Sequence, residues 1–378
     1  MSAKLTNLVT NSLVAFPVAL LLGCLSLAAW AQSGRKIPKI EDPVLRIETR
    51  EVLLPINAYD AEGRNVTNLT PRDFLVVENG EPRVITALRH EPANIVLVLD
   101  LSNEIGTFKN GASDFYVARE KRDKSARDRP IWVKDYEIVP RPAAREFADN
   151  FIRNLGDGDQ IAIIQYSDRV QLIQEWTSER EKALDALQSK YRVGLKARYY
   201  DALALAAAKL REKPGRRVLV LLSDGLDSAS RASRQQSMAA VEHTGASVFV
   251  VGWDEVLRLE ITGAISWMNA HERQSSSLSK RMVELQRFLT DLESSSYELR
   301  SLAEGSGGEM FSPPDFDELV SRIPRNVQRE LGAQYSLAFM TERGPSIEPE
   351  RSVEVLPARP GLSVRSRRTY YVGEDTRQ

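Results

Sequence analysis

The sequence predicts an α/β protein: a doubly wound, mostly parallel, Rossmann-like sheet inserted in or flanked by a small antiparallel β-sandwich. Three observations carry this reading. Asn94-Ile95-Val96-Leu97-Val98-Leu99-Asp100 and Val218-Leu219-Val220-Leu221-Leu222-Ser223-Asp224 are apolar runs that end on a carboxylate. Such runs mark strands buried on both faces of a parallel sheet. Around them, strand patterns alternate with helical ones, as βαβ units require. At the two ends of the chain the pattern changes to short alternating strands, and neither end alone buries enough to stand by itself.

Residues 1–31 read as a signal peptide. Lys4 supplies a positive start, 13–29 is mostly apolar, and Ala29-Trp30-Ala31 has the small-x-small form of a cleavage site. The mature chain is expected to begin at Gln32, outside the cytoplasm: secreted, periplasmic or in the cell envelope. Leu21-Leu22-Gly23-Cys24 offers the alternative of a lipid anchor at Cys24, and an uncleaved anchor is a third option. No transmembrane helix is expected in the mature chain. Cys24 is the only cysteine, so the mature chain forms no internal disulfide.

A linker over 32–44 leads to an N-terminal β segment over 45–92, read as half of an Ig-like sandwich. Alternation appears at 45–49 and 52–58, and Asn79-Gly80 between 74–78 and 83–88 is a strong hairpin signal. The α/β domain occupies 93–332. Its strands are expected over 95–99, 161–166, 170–176, 218–222, 247–251 and 309–311. Its helices are expected over 143–155, 178–190, 199–212, 231–243, 278–304 and 316–331. Two stretches, 105–141 and 256–286, read as long connections, which in compact domains are usually functional or disordered. The segment 333–373 returns to β, with strands at 335–340, 352–356 and 362–372, and is expected to pack with 45–92.

Composition excludes several functions. With 51 Lys and Arg against 52 Asp and Glu, the net charge is −1, so nothing argues for nucleic acid as partner. Three histidines and one cysteine are too few for most zinc, haem or Cys–His chemistry. Gly305-Ser306-Gly307-Gly308 lacks the lysine of a phosphate loop, and no Gly-x-Ser-x-Gly elbow exists. Without a nucleophile–base pair or a positioned histidine, the chain reads as a non-enzyme, with a metal-assisted hydrolase as the remote alternative.

What remains is the rim. Asp100 and Asp224 each lie just past the carboxyl end of a buried strand, where open α/β sheets place ligands. Two carboxylates delivered to one rim are the start of an oxygen-ligand cation site.

The Asp100-x-Ser102-x-Glu104 loop, the helix beginning near Ala143, Gly158-Asp159-Gln160-Ile161-Ala162 and Ser223-Asp224-Gly225-Leu226-Asp227 together resemble a von Willebrand factor A domain. Val52-Leu53-Leu54-Pro55, Leu69-Thr70-Pro71-Arg72-Asp73-Phe74 and Leu331-Gly332-Ala333-Gln334-Tyr335-Ser336-Leu337 extend the resemblance to acidobacterial secreted A-domain-related proteins, over roughly 45–373. The resemblance implies a metal-ion-dependent adhesion site. In that family it is built from Asp-x-Ser-x-Ser, a threonine and an aspartate on three loops, with one coordination position open to a partner's carboxylate.

Asp100, Ser102 and Asp224 fit this pattern. Glu104 stands where a serine is expected. Ala197 falls in the threonine slot, between Lys196 and Arg198. Two readings follow. A divalent cation, Mg²⁺ or Ca²⁺, still binds with Glu104 as substitute ligand. Or no metal binds, and Lys196 or Arg198 neutralises the carboxylates; two cations flanking the lost threonine favour this reading. Asp227 either adds to the rim or caps the next helix, and Trp132 in the 105–141 insertion either anchors a partner or packs the loop down onto the sheet. The function expected is a secreted bacterial binding protein whose degenerate rim takes an unidentified protein or surface ligand, with a cation-dependent adhesion module as the alternative.

Overall fold

The computed structural model describes residues 48–102, 143–194, 196–271, 276–343 and 350–371. The expectations placed on the leader, Cys24, Glu104, Trp132 and the 105–141 insertion lie outside these residues.

The chain enters on a long strand, β1 (Glu48–Tyr59), followed by β2 (Phe74–Glu78), β3 (Glu81–Arg83) and β4 (Ile85–Arg89). The two alternating runs expected at 45–49 and 52–58 are one strand from residue 48 onward, because β1 pairs without a break from Glu48↔Arg343 to Ile56↔Tyr335. Between β2 and β3, Asn79 and Gly80 have φ of 49° and 84°. Both central positions of a type I′ turn need positive φ, and Asn-Gly supplies it at least cost.

The α/β layer follows. Its strands are β5 (Asn94–Asp100), β6 (Gln160–Tyr166), β7 (Val170–Thr177), β8 (Arg217–Leu222), β9 (Ser247–Val251) and β10 (Glu309–Phe311). They form a six-stranded sheet in the order β10-β9-β8-β5-β6-β7, parallel except for β7. The helices are α1 (Ala143–Arg153), α2 (Arg180–Lys190), α3 (Tyr199–Arg211), α4 (Arg234–Glu242), α5 (Asp254–His271), α6 (Ser276–Gly305), α7 (Phe316–Ser321) and α8 (Ile323–Ala333). Alternate residues of a strand face opposite sides, and β5 shows it. Ile95, Leu97 and Leu99 pack among Phe147 and Phe151 of α1 on one face. Val96 and Val98 pack against Ala202, Leu203 and Ala206 of α3 on the other. Both faces are covered, which is why β5 and β8 read as continuous apolar runs.

The connection expected over 256–286 is instead helical: α5 fills its first part and α6 begins at Ser276. Val256, Leu257 and Ile261 are buried on one side of α5. The Ser-rich stretch at 275–277 obscured that periodicity.

The chain closes on β11 (Tyr335–Arg343), β12 (Glu350–Pro357), β13 (Ser363–Ser366) and β14 (Thr369–Tyr371). Strands from the two ends of the chain interleave in two four-stranded sheets, β13-β1-β11-β4 and β14-β12-β2-β3. Leu54, Ile56, Val76, Leu337, Phe339 and Val353 form the core between them. The last strand expected, 362–372, is two: β13 joins β1 and β14 joins β12, so the chain changes sheet at Arg367. The fold class read from the sequence, a doubly wound sheet accompanied by an antiparallel sandwich, is what the structure shows.

Two buried polar networks hold these layers. In the sandwich, Glu78 is fully buried. It accepts hydrogen bonds from Thr341 Oγ1 (2.6 Å), Arg351 Nη1 (2.8 Å), Arg83 Nε (2.6 Å) and the Tyr370 hydroxyl. Between sandwich and α/β layer, the buried Arg216 guanidinium donates to the Leu331 carbonyl (2.6 Å) and to Gln334 Oε1 (3.2 Å). Gln334 in turn donates to Asn57 of β1 at 3.0 Å. A buried charge is tolerated when its lone pairs or protons are all engaged.

Burial alone would push Glu78 up, but the bonds from Thr341, Tyr370, Arg351 and Arg83 outweigh it and hold its carboxyl below the ordinary 4.5. A carboxylate that is a stronger acid when folded contributes stability that is complete above 4.5 and disappears as pH falls through the lower folded value. Glu78→Gln, which keeps the shape and strands the buried Arg351, should cost about 3 kcal/mol or more in denaturant unfolding at pH 7. The difference from the natural protein should shrink on acidification below pH 4.5. A constant difference across that range would contradict the assignment.

Candidate binding rim at the carboxyl end of the central sheet

Strand register assembles the rim. Asp100 at the end of β5 pairs with Tyr166 at the end of β6, and Leu99 pairs with Leu222 at the end of β8. Asp100, Tyr166 and the Ser223-Asp224 step therefore arrive at one level. Asp100 is fully buried. Its Oδ1 accepts the Ser102 N–H at 2.9 Å and the Ser102 hydroxyl. Its Oδ2 accepts the Tyr166 hydroxyl at 2.7 Å, and Ser223 Oγ lies at 3.5 Å. Tyr166 Oη and Ser223 Oγ are themselves 2.6 Å apart. Asp224 is partly buried; its Oδ1 accepts the Leu226 N–H at 2.9 Å, and the Trp253 indole donates to the carboxylate.

The second loop reaches this rim through a close approach. Gly194 N–H donates to the Leu101 carbonyl at 3.0 Å, and Gly194 bridges to Ser102. A Cβ at Gly194 would fall 2.8 Å from Ser167 Cβ and 2.4 Å from Asp168 Oδ2, so a side chain there would have to displace the turn after β6. Three residues on, Ala197 is buried. Its carbonyl accepts the N–H groups of Ser228 (3.0 Å) and Ala229 (2.9 Å), and its N–H donates to Ser228 Oγ at 2.9 Å. Ala197 thus stitches the second loop to the third but offers the rim no side-chain oxygen.

The candidate rim residues divide. Asp100, Ser102 and Asp224 come together. Arg198 donates to the Asp168 carbonyl (2.8 Å) and pairs with Asp201 (3.2 Å). Lys196 is exposed. Among the described residues, neither makes a hydrogen bond or ion pair with Asp100 or Asp224. Asp227 accepts the Ser230 hydroxyl at 2.5 Å and the Ser230 N–H at 3.3 Å, which fixes its own loop. Tyr166, Ser223 and Trp253 are contributors that sequence reasoning passed over. Tyr166 reads there as one more core residue closing a buried strand, and only its position opposite Asp100 gives it away.

The electrostatics follow from this packing. Burial, and then the charge of Asp224, push the Asp100 carboxyl well above its usual range; the bonds from Ser102 and Tyr166 offset part of that. Burial also pushes Asp224 up, to about 6, against the pull of the Leu226 N–H and the Trp253 indole and with the Asp254 charge adding to the push. The rim is an acid pair without a basic partner among the described residues.

A divalent cation of the adhesion-site kind wants about six hard oxygens. Here both Asp100 oxygens and one of Asp224 are already engaged by protein donors, and the threonine slot is Ala197. Among the described residues no group of three or more His, Cys, Asp or Glu is arranged to hold a metal. These residues do not by themselves fit the shell.

Residues 139–322 match the von Willebrand factor type A domain model, a span that holds the second and third rim loops and begins after Asp100. No curated protein sequence matches the chain. Several solved structures are similar. A von Willebrand factor type A protein from Catenulispora acidiphila is 13% identical over 87% of this chain and 75% of its own, at a TM-score of 0.39. The PilB minor pilin from Streptococcus sanguinis is 14% identical over 64% of this chain and 63% of its own, at 0.36. An aerotolerance-related membrane protein from Bacteroides fragilis is 17% identical over 43% of this chain and 67% of its own, at 0.29. The family match lies inside the six-stranded α/β layer, so residues 139–322 of that layer are what resembles a von Willebrand factor type A domain.

Proposed function

We propose that this protein is a non-catalytic interaction module of the bacterial cell exterior. It binds a protein or surface ligand at the carboxyl-end rim of its central sheet, without a metal. The leader pattern at 1–31 supports the location, and the type A domain supports the binding role. The observation that carries the metal-free reading is the Asp100 carboxylate: both its oxygens are taken by neutral donors, Ser102 and Tyr166. The sequence reading gave the neutralising role to Lys196 or Arg198. In this proposal hydroxyl and main-chain donors, and a proton on the raised pair, take that role. Exposed Lys196 is then free to receive an acidic group from the partner.

One observation favours the cation-dependent alternative. Asp224 lies close enough for its charge to push Asp100 up, and a cation shared by the pair would relieve that repulsion. Glu104 would then complete the ligand set.

Tyr166→Phe removes the donor to Asp100 Oδ2 and leaves Ser223 without its short contact. Its loss should cost about 1–3 kcal/mol in denaturant unfolding, the penalty for a buried acceptor left unmade. A neutral effect would mean that a cation, not Tyr166, satisfies Asp100. For binding, the natural chain and Lys196→Glu should be compared as immobilised baits against surface proteins of the source cells. A band retained by the first and lost with the second places the interface at the rim. Equal retention would remove the rim from the interface.

A further inference from the structure

Away from the rim, a cavity of about 890 Å³ opens between the sandwich and the α/β layer. Its walls are 353–357 of β12, 362–366 around β13, 308–310 at β10, and the side chains of Arg300, Glu304 and Arg368. These are consecutive residues, and successive side chains of a strand point to opposite faces. A cavity that touches a strand at every residue is looking at its edge, where the main-chain donors and acceptors are.

The register shows which groups face it. β12 pairs with β2 over 353–357, whereas β14 pairs only with Glu350, Arg351 and Ser352. The Val353 N–H donates to the Arg368 carbonyl at 2.8 Å, on the side away from β2. In an antiparallel strand the main-chain groups alternate sides, so the N–H and C=O of Val355 also point away from β2. Among the described residues no strand is paired with them, although β13 runs nearby. β13 and β10 are likewise paired on one side only among the described residues, with β1 and β9. Three strand edges converge on one cavity, floored by the buried side chains of Val353, Val355 and Leu362.

The charges narrow the occupant. Arg365 is taken by Glu309 (2.7 Å) and Glu330 (2.6 Å). Arg300, Arg368, Glu304 and Glu354 are exposed and make no ion pair among the described residues. Two free charges of each sign match a polypeptide carrying both signs and give no attraction to a polyanion.

We propose that this cleft binds an extended peptide segment of a partner protein, which adds to the edge of β12 as a further strand. Main-chain bonds to Val355 supply the pairing. Apolar side chains at alternate positions settle beside Val353, Val355 and Leu362, and charged ones meet Arg300, Arg368, Glu304 and Glu354. Strand addition of this kind draws affinity from the main chain and specificity from alternate side chains.

Two experiments on the full chain test it. Amide hydrogen exchange should find the Val355 amide open, exchanging far faster than its core neighbours in β12. Protection there would mean that another part of the chain already fills the edge, and would overturn the proposal. Next, a random heptapeptide library displayed on phage is panned against the chain, and an enriched peptide is synthesised for anisotropy titration. Enriched sequences should alternate apolar and polar residues. N-methylation at one alternating set of peptide positions should weaken binding by about tenfold per bond lost, and at the other set should not. Val355→Pro, which removes one edge-directed N–H at a position where an edge strand tolerates proline, should do the same, while Lys196→Glu should leave peptide affinity unchanged. No enrichment, or binding indifferent to the position of N-methylation, would overturn the proposal whether or not Val355→Pro folds.

Discussion

The rim depends on a register. β5, β6 and β8 run parallel and end together, so Asp100, Tyr166 and Ser223 emerge within hydrogen-bonding range of one another, with Asp224 close enough to act on Asp100 through its charge. Strands this deeply buried give their last residues no water to turn to. A carboxylate ending such a strand must find protein donors, a proton or a cation. Asp100 finds Ser102 two residues later on its own loop and Tyr166 on the neighbouring strand. The second and third loops then lock around them: Gly194 closes on Leu101, and Ala197 is sewn to Ser228 and Ala229.

The sandwich solves a different problem with similar means. Strands from the two ends of the chain must find each other across the whole α/β layer, a costly long-range closure. The nine-pair register of β1 with β11 and the Glu78 cluster return that cost. Arg216, Gln334 and Asn57 then tie the sandwich to the α/β layer through a continuous buried chain of hydrogen bonds. The same arrangement leaves β12, β13 and β10 with edges toward one cleft. The molecule thus offers two surfaces of different chemistry: an acidic rim built from side chains and a slot built from main chain.

Much of the fold was legible in the sequence, for physical reasons. Burial on both faces leaves β5 and β8 as unbroken apolar runs, and Asn79-Gly80 announces its turn by backbone preference alone. Helix α5 was not legible, because its apolar residues lie beside a Ser-rich stretch that looks like loop. The break at Arg367 was not legible either, because a strand that changes sheet keeps the same alternation on both sides of the change. At the rim, Asp100, Ser102 and Asp224 stood out because charge at the end of an apolar strand is rare. Tyr166 did not, since an aromatic at a strand end is ordinary core, and its role exists only across the β5–β6 register. Arg198 looked like a counter-charge from its nearness to the threonine slot. One turn into α3, Asp201 claims it.

The central claim is that neutral donors and protons, not a metal, satisfy the acid pair. The most direct measurement is calorimetric titration of Mg²⁺, Mn²⁺ and Ca²⁺ into the chelator-treated chain from Gln32 onward, so that the insertion bearing Glu104 is included. The account predicts no saturable binding at millimolar cation and an unchanged melting temperature with or without it. Saturable binding tighter than about millimolar, abolished by Asp100→Ala, would contradict it and make Glu104 a ligand.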